Sequence, residues 1–295
     1  MSLTSNTKII IGTAQFGLSY GINNKIGKPD TETVKQILDY AIDHGISFLD
    51  TAEAYGDSHE VIGRYHKSSL KKYNVITKFS LARKDLPINL IDRVYKDLDV
   101  MNVSSLYAYM FHSFKDFRSY SKFYKEELIK LKKEGYIKKI GVSLYTNQEV
   151  AEVLDSDIVD LIQLPFNLLD NNNQRSSVLE MIKGKEMEIH TRSTFLQGLF
   201  FKSEKELSMR LKPMIKYIKQ VGMIANKNNI SLNDLALSYV FGQKIIDKVL
   251  IGVDSLEQLK ENYQSLKISL SDDMIEEIDQ INVKEVELLN PNNWK

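Results

Sequence analysis

The chain has 295 residues, 43% of them hydrophobic and 26% charged, with 39 basic and 39 acidic side chains and a net charge of zero. That balance removes any bulk electrostatic attraction to nucleic acid or an anionic membrane, and the length suits one large domain or two smaller ones. Cysteine is absent, which excludes disulfides, zinc–thiolate sites and thiol catalysis and suits a reducing compartment.

The first eight residues are polar and carry no signal-peptide pattern, and no stretch is apolar for long enough to span a bilayer. A cytoplasmic protein without a membrane partner is expected. An apolar run at 9–12 is followed by Asp30, a helix cap, and an amphipathic stretch from Thr31 to His44 that Gly45 ends. Further short β-branched or aromatic runs stand at 47–50, 73–78, 106–112, 140–143, 158–163, 188–192 and 249–252. Between them lie helix-length stretches. Asp116 opens one running toward Lys133, closed by Gly135. Ser231 caps 232–241, and Ser255 caps 256–264 with Gln258 at the capping-box position. Lys71, Lys72 and the lysines of 130–139 read as solvated helix faces. The connection 196–209 is longer than an ordinary loop, and 269–295 reads as a helix followed by an Asn-rich tail ending near Trp294.

Eight strands alternating with helices predict a parallel sheet covered by helices, and at this length a single closed (β/α)8 barrel over 1–295 fits better than an open sheet. Four residues then stand out. Asp50 and Tyr55 lie in Asp50-Thr51-Ala52-Glu53-Ala54-Tyr55-Gly56, Lys78 closes the third apolar run, and His112 closes the fourth. Each stands at or just past a strand's C-terminal end, and in a parallel barrel those ends meet at one mouth.

This set resembles the catalytic residues of the aldo-keto reductases. The likeness continues through Gly12-Thr13-Ala14-Gln15-Phe16-Gly17, Gly141-Val142-Ser143, Gln163, the Ser-x-x-x-x-Gly-Leu pattern at 193–199, and Ile251-Gly252-Val253-Asp254-Ser255 followed by Gln258 and Asn262. These motifs span most of the chain in the family's order. The resemblance implies reduction of an aldehyde or ketone by NAD(P)H, with Tyr55 as proton donor, Lys78 as a cation lowering its pKa, Asp50 holding Lys78 charged, and His112 hydrogen-bonded to the substrate carbonyl. The hydride chemistry belongs to the cofactor.

The resemblance also implies an extended dinucleotide without a Gly-rich Rossmann loop, and no G-x-G-x-x-G occurs. Ser143 and Gln163 match positions that bind the nicotinamide carboxamide. Leu144 replaces the family's usual Asn. Arg192 stands where a flat residue commonly stacks on the nicotinamide, so it can stack there, bind an acidic group of the substrate, or pair with a carboxylate of the protein. Ser193, Leu196, Gly198 and Leu199 match the segment around the pyrophosphate, with Thr194 in place of the usual Pro. Gly252, Val253, Asp254, Gln258 and Asn262 match the adenosine segment, Gly12 and Thr13 belong to the first strand, and Asp50 also borders the cofactor. The usual basic clamp for a 2′-phosphate is not evident, so NADP(H) or NAD(H) is expected, with a lean toward NADH. Gln15, Phe16, Tyr55 and His112 are expected to meet the substrate, and Tyr20, Phe79, Phe114 and Trp294 to line the mouth. Gln15 hints at a hydroxylated substrate; a sugar-derived aldehyde or ketone is one expectation and a broad detoxifying range is another.

The alternatives are a nicotinamide-binding regulatory barrel with little turnover, or a barrel lyase or isomerase using Lys78 as a Schiff-base nucleophile. A metal-dependent barrel is disfavoured, because the five His (44, 59, 66, 112 and 190) show no ligand spacing. A monomer or weak oligomer without nucleic-acid partners is expected.

Overall fold

The structure is a computed structural model, and it describes residues 7–22, 24, 27–81 and 89–294. The polar residues 1–6 and the terminal Lys295 lie outside the described residues. Eight parallel strands close on one another in sequence order. They are β1 (Ile9–Gly12), β2 (Phe48–Asp50), β3 (Asn74–Phe79), β4 (Leu106–Phe111), β5 (Ile137–Ser143), β6 (Leu161–Pro165), β7 (Glu188–Arg192) and β8 (Lys248–Gly252). The ring is completed by β1 against β8, with Ile9 opposite Val249 and Gly12 opposite Gly252. This is the (β/α)8 barrel that the alternation predicts.

The helices around it are α1 (Ala14–Gly17), α2 (Thr31–Asp43), α3 (Ser58–Ser68), α4 (Leu90–Met101), α5 (Phe114–Tyr120), α6 (Lys125–Lys133), α7 (Asn147–Val153), α8 (Asn172–Gly184), α9 (Ile215–Lys227), α10 (Leu232–Gly242), α11 (Leu256–Ser265) and α12 (Asp272–Asp279). Because side chains alternate along a strand, the barrel has two apolar cores. Ile10, Phe48, Ile76, Ala108, Met110 and Leu161 fill the interior. A larger cluster, which includes Ile9, Ile11, Val75, Tyr109, Val142, Ile162 and Ile189, seals the outer strand faces against the helices.

Several expected elements shift for local reasons. β5 begins three residues earlier than its apolar run, because Lys138 and Lys139 extend it past the hydrophobic stretch. β6 runs later, because the Asp160 carboxylate turns back to accept from the Ile140 amide at 2.8 Å. The expected helix from Asp116 to Lys133 is two helices. Ser113, not Asp116, caps the first, accepting from the Asp116 amide at 3.1 Å. The break before α6 lets Tyr124 bury completely while Phe123 stays 63% exposed. Ser255 caps α11 as expected, but Gln258 Oε1 accepts from the Asp254 amide (2.8 Å), so the reciprocal bond to Ser255 is not made. The connection after β7 is a chain of 3-10 turns, Leu196–Phe201, Glu204–Glu206 and Met209–Met214, running directly into α9.

Candidate active site

The carboxyl ends of β2 and β3 carry a buried ion pair. Asp50 and Lys78 are each 1% exposed, and the Lys78 ammonium donates to Asp50 Oδ1 and, at 3.0 Å, to the Thr51 carbonyl. The second carboxylate oxygen accepts from Gln163 Nε2 at 2.8 Å. Asp50 thus joins an ammonium on β3 to an amide on β6 across the barrel's upper end. Burial lowers the pKa of Lys78, and Asp50 opposes that shift.

Tyr55 and His112 stand beside this pair. Their rings meet edge to face at 5.9 Å, and Lys78 Nζ lies 5.3 Å from the Tyr55 ring centre. The His112 amide continues the ladder past β4 by donating to the Phe79 carbonyl. Burial, then the positive charges of Lys78 and Arg192, lower the imidazole pKa to about 4, so His112 is neutral at physiological pH. Tyr55 moves the other way. Burial pushes its phenol upward, Asp50 adds to that, and Arg192 opposes. The acidification expected from Lys78 is therefore not the net effect, because burial of the phenol outweighs it and Asp50 adds to the upward shift. The phenol holds its proton at neutral pH.

The turn carrying Tyr55 is fixed from three sides. Its amide donates to the Ala52 carbonyl at 2.9 Å. Ser58 Oγ donates to Thr13 Oγ1 (2.7 Å) and lies 3.0 Å from Thr51 Oγ1, while Thr13 Oγ1 donates to the Asp50 carbonyl (3.0 Å). A Cβ on Gly17 would lie 1.7 Å from the Tyr55 carbonyl oxygen, so only glycine lets α1 pack against this turn. Arg93 on α4 clamps Glu53 through two guanidinium nitrogens and also donates to the Ser80 carbonyl at 3.1 Å. Sequence reading missed Ser58 and the Glu53–Arg93 clamp. Glu53 lay within the noticed motif, but its partner is forty residues further along the chain.

The expected cofactor residues divide. Ser143 and Gln163 are buried register partners on β5 and β6. With Nε2 committed to Asp50, Gln163 Oε1 is left buried and without a partner. Leu144 faces the core, and its carbonyl accepts from Arg192 Nη2 at 2.9 Å. The Arg192 guanidinium lies 4.0 Å above the Tyr145 ring. Ser193, Leu196, Gln197 and Gly198 all have positive φ, which turns the strand end sharply over the mouth. Gln197 Nε2 donates to the hydroxyl of Tyr20 (2.8 Å), a residue 39% exposed. Gln15 lies so close over Gly252 that a Cβ there would sit 2.3 Å from its amide nitrogen.

Asp254 is half-buried and accepts from Asn24 at 3.3 Å. The remaining expected contacts point elsewhere. The side chains of Leu196, Leu199 and Val253 belong to the outer core. Asn262 is buried and accepts from Asn233 on α10. Phe16 and Phe79, expected at the mouth, are fully buried in the outer core. For Phe79 the reason is strand alternation: Lys78 points into the barrel, so its neighbour points out. Phe114 packs half-buried against that core, and the Trp294 indole donates to Leu288 within the tail (2.8 Å).

The Aldo/keto reductase family model matches residues 8–283. The chain belongs to the aldo/keto reductase family. Among similar curated proteins, D-arabinose 1-dehydrogenase of Saccharomyces cerevisiae is 25% identical over 298 residues, covering 90% of this chain and 85% of that protein. The NADH-specific methylglyoxal reductase of Escherichia coli is 22% identical, covering 77% and 81% respectively. Among solved structures, a holo-form aldo-keto reductase of Bacillus halodurans superposes with a TM-score of 0.74 at 18% identity, covering 95% of this chain and 94% of that one. The glycerol dehydrogenase of Gluconobacter oxydans gives 0.72 at 20% identity, covering 93% and 90%. Members of the aldo/keto reductase family reduce carbonyl groups with NAD(P)H, and this chain is an oxidoreductase of that kind.

A nicotinamide dinucleotide fits the residues present. The unpaired Gln163 Oε1 is an acceptor waiting for an N–H donor such as a carboxamide, with Ser143 beside it. Among the described residues no helix is long and apolar enough to cross a membrane, and no three His, Asp or Glu side chains converge as metal ligands.

Proposed function

We propose that this chain, as one (β/α)8 domain with its C-terminal helix and tail, reduces an aldehyde or ketone to an alcohol with Tyr55 as proton donor. One observation carries the reading: a protonated phenol, a neutral imidazole and a buried Asp50–Lys78 pair converge at the carboxyl ends of β2, β3 and β4. A bound nicotinamide supplies the hydride. His112 donates to the carbonyl oxygen and fixes its position. As negative charge grows on that oxygen, Tyr55 gives up its proton to it. The phenolate left behind lies beside Lys78 and Arg192, which favour the charged form. Asp50 keeps Lys78 protonated and oriented. With its ammonium committed to Asp50 and to the Thr51 carbonyl, Lys78 is poorly placed to attack a carbonyl carbon.

Ser143 and Gln163 would hold the nicotinamide carboxamide, residues 193–198 the pyrophosphate, and the segment from Gly252 to Gln258 the adenosine. Asp254 supplies a carboxylate where a 2′-phosphate would need a cation, which supports acceptance of NADH. The test is oxidation of reduced nicotinamide over a panel of aldehydes and ketones. Carbonyl-dependent oxidation supports the reductase. Retained cofactor with no oxidation across the panel would instead leave a binding protein.

A further inference from the structure

Among the described residues at the mouth, Arg192 is a charge that no carboxylate balances. Three other described cations near it are paired: Lys78 with Asp50, Arg93 with Glu53, and Arg175 with Asp170 through two oxygens. Those pairs commit Asp50, Glu53 and Asp170, and Asp116 accepts from Ser113 and the Leu81 amide. Arg192 forms no ion pair among the described residues. Its contacts are the Leu144 carbonyl (2.9 Å), Ser193 Oγ (3.4 Å) and the face of Tyr145.

A guanidinium stays charged at any working pH and carries five N–H donors, of which these contacts use two. Half-burial without a counter-ion is costly, and the Tyr145 ring beneath holds the plane of the group fixed. Its charge acts on the candidate catalytic groups, helping to lower the pKa values of Lys78 and His112. With Asp50 and Lys78 cancelling and His112 neutral, Arg192 leaves a positive charge beside the candidate catalytic groups.

We propose that the carbonyl substrates of this enzyme carry an anionic group, a carboxylate or a phosphate, and that Arg192 is the specificity-determining residue that binds it. This rests on the reductase reading of the same site. The planar fork, held through one N–H each of Nη2 and Nη1 and stacked on one face, keeps three N–H groups with which it can bind an oxyanion through two hydrogen bonds. Because the fork is already positioned, little side-chain freedom is lost on binding.

The test compares matched substrates with the full-length protein and a saturating cofactor: 4-oxobutanoate against butanal for carboxylate, and glyceraldehyde 3-phosphate against glyceraldehyde for phosphate. The quantity read is the ratio of kcat/KM for the charged member to that for the neutral member. The wild type is expected to favour at least one charged member by about tenfold or more, the size of one charge-assisted hydrogen bond. Whichever pair shows the preference names the anion. In Arg192→Gln the ratio should collapse toward one, and Arg192→Lys should restore part of it. A wild-type ratio near one in both pairs overturns the proposal, as does a ratio that Arg192→Gln leaves unchanged, and in either case the reductase reading stands. If the wild type turns over none of the four compounds but oxidises cofactor with other carbonyls of the wider panel, this proposal alone fails; if no carbonyl of that panel is turned over, both readings fail.

Discussion

At the scale of single residues, burial acts on both His112 and the Asp50–Lys78 pair. The His112 pKa is lowered from its ordinary 6.5 to about 4 in the folded protein. Below pH 6.5 the unfolded chain therefore takes up a proton that the folded site refuses. His112 contributes fully to stability above pH 6.5, and that contribution is lost as pH falls toward about 4. Between pH 7 and pH 5 this amounts to roughly 2 kcal/mol. Urea unfolding at the two values should show the wild type losing that much more than His112→Gln, and equal losses would contradict a depressed imidazole. Lys78→Met leaves the Asp50 carboxylate buried without its cation and should cost about 3–5 kcal/mol in urea unfolding, much of it recovered in the double variant with Asp50→Asn. A loss under about 1 kcal/mol would mean that the pair is not buried as described. Asp50, Tyr55, Lys78 and His112 were legible because the sequence places each beside a strand end. Arg93 was not, since an α4 residue gives no sign of which loop it will reach. Phe16 and Phe79 were misjudged because an aromatic after a strand can face the mouth or the helices, and only the strand phase decides.

At the scale of elements, helix packing sets which substitutions are tolerated. α3 and α4 approach so closely that a Cβ on Gly63 would lie 1.9 Å from the Val100 carbonyl oxygen. Gly63→Ala should cost about 1–3 kcal/mol by forcing the two helices apart. Gly222 lies inside α9 with nothing within 4 Å of a Cβ, so Gly222→Ala should instead stabilise by roughly 0.5–1 kcal/mol. Thermal unfolding of the two variants reads the opposite signs. Stabilisation at both would mean that helix propensity, not interhelix distance, governs both positions, and destabilisation by Gly222→Ala would contradict the open space beside it. Strand number and order were legible because each apolar run is short and β-branched and is followed by a capped amphipathic stretch. The ends were less so. Lys138 and Lys139 extend β5 beyond its hydrophobic pattern, and the divided helix at 114–133 reflects the burial of Tyr124, a tertiary demand that local periodicity does not carry.

At the scale of the whole molecule, the closed ring matters because it brings to one mouth groups from β2, β3, β6 and β7 that are far apart in sequence. A dinucleotide binding across that mouth stabilises only the folded barrel. At a hundredfold excess over its Kd this adds about 2.7 kcal/mol, which for 295 residues raises Tm by about 4 °C. Titrations monitored by thermal unfolding should give comparable affinities for NADH and NADPH, whereas NADPH binding a hundredfold tighter would contradict the reading of Asp254. The most direct measurement concerns Tyr55. Single-turnover oxidation of bound reduced cofactor by an aldehyde should slow by about 10² to 10⁴ in Tyr55→Phe while cofactor affinity stays within about threefold, as expected for loss of a positioned acid. Turnover within tenfold of the wild type would show that the proton comes from another group.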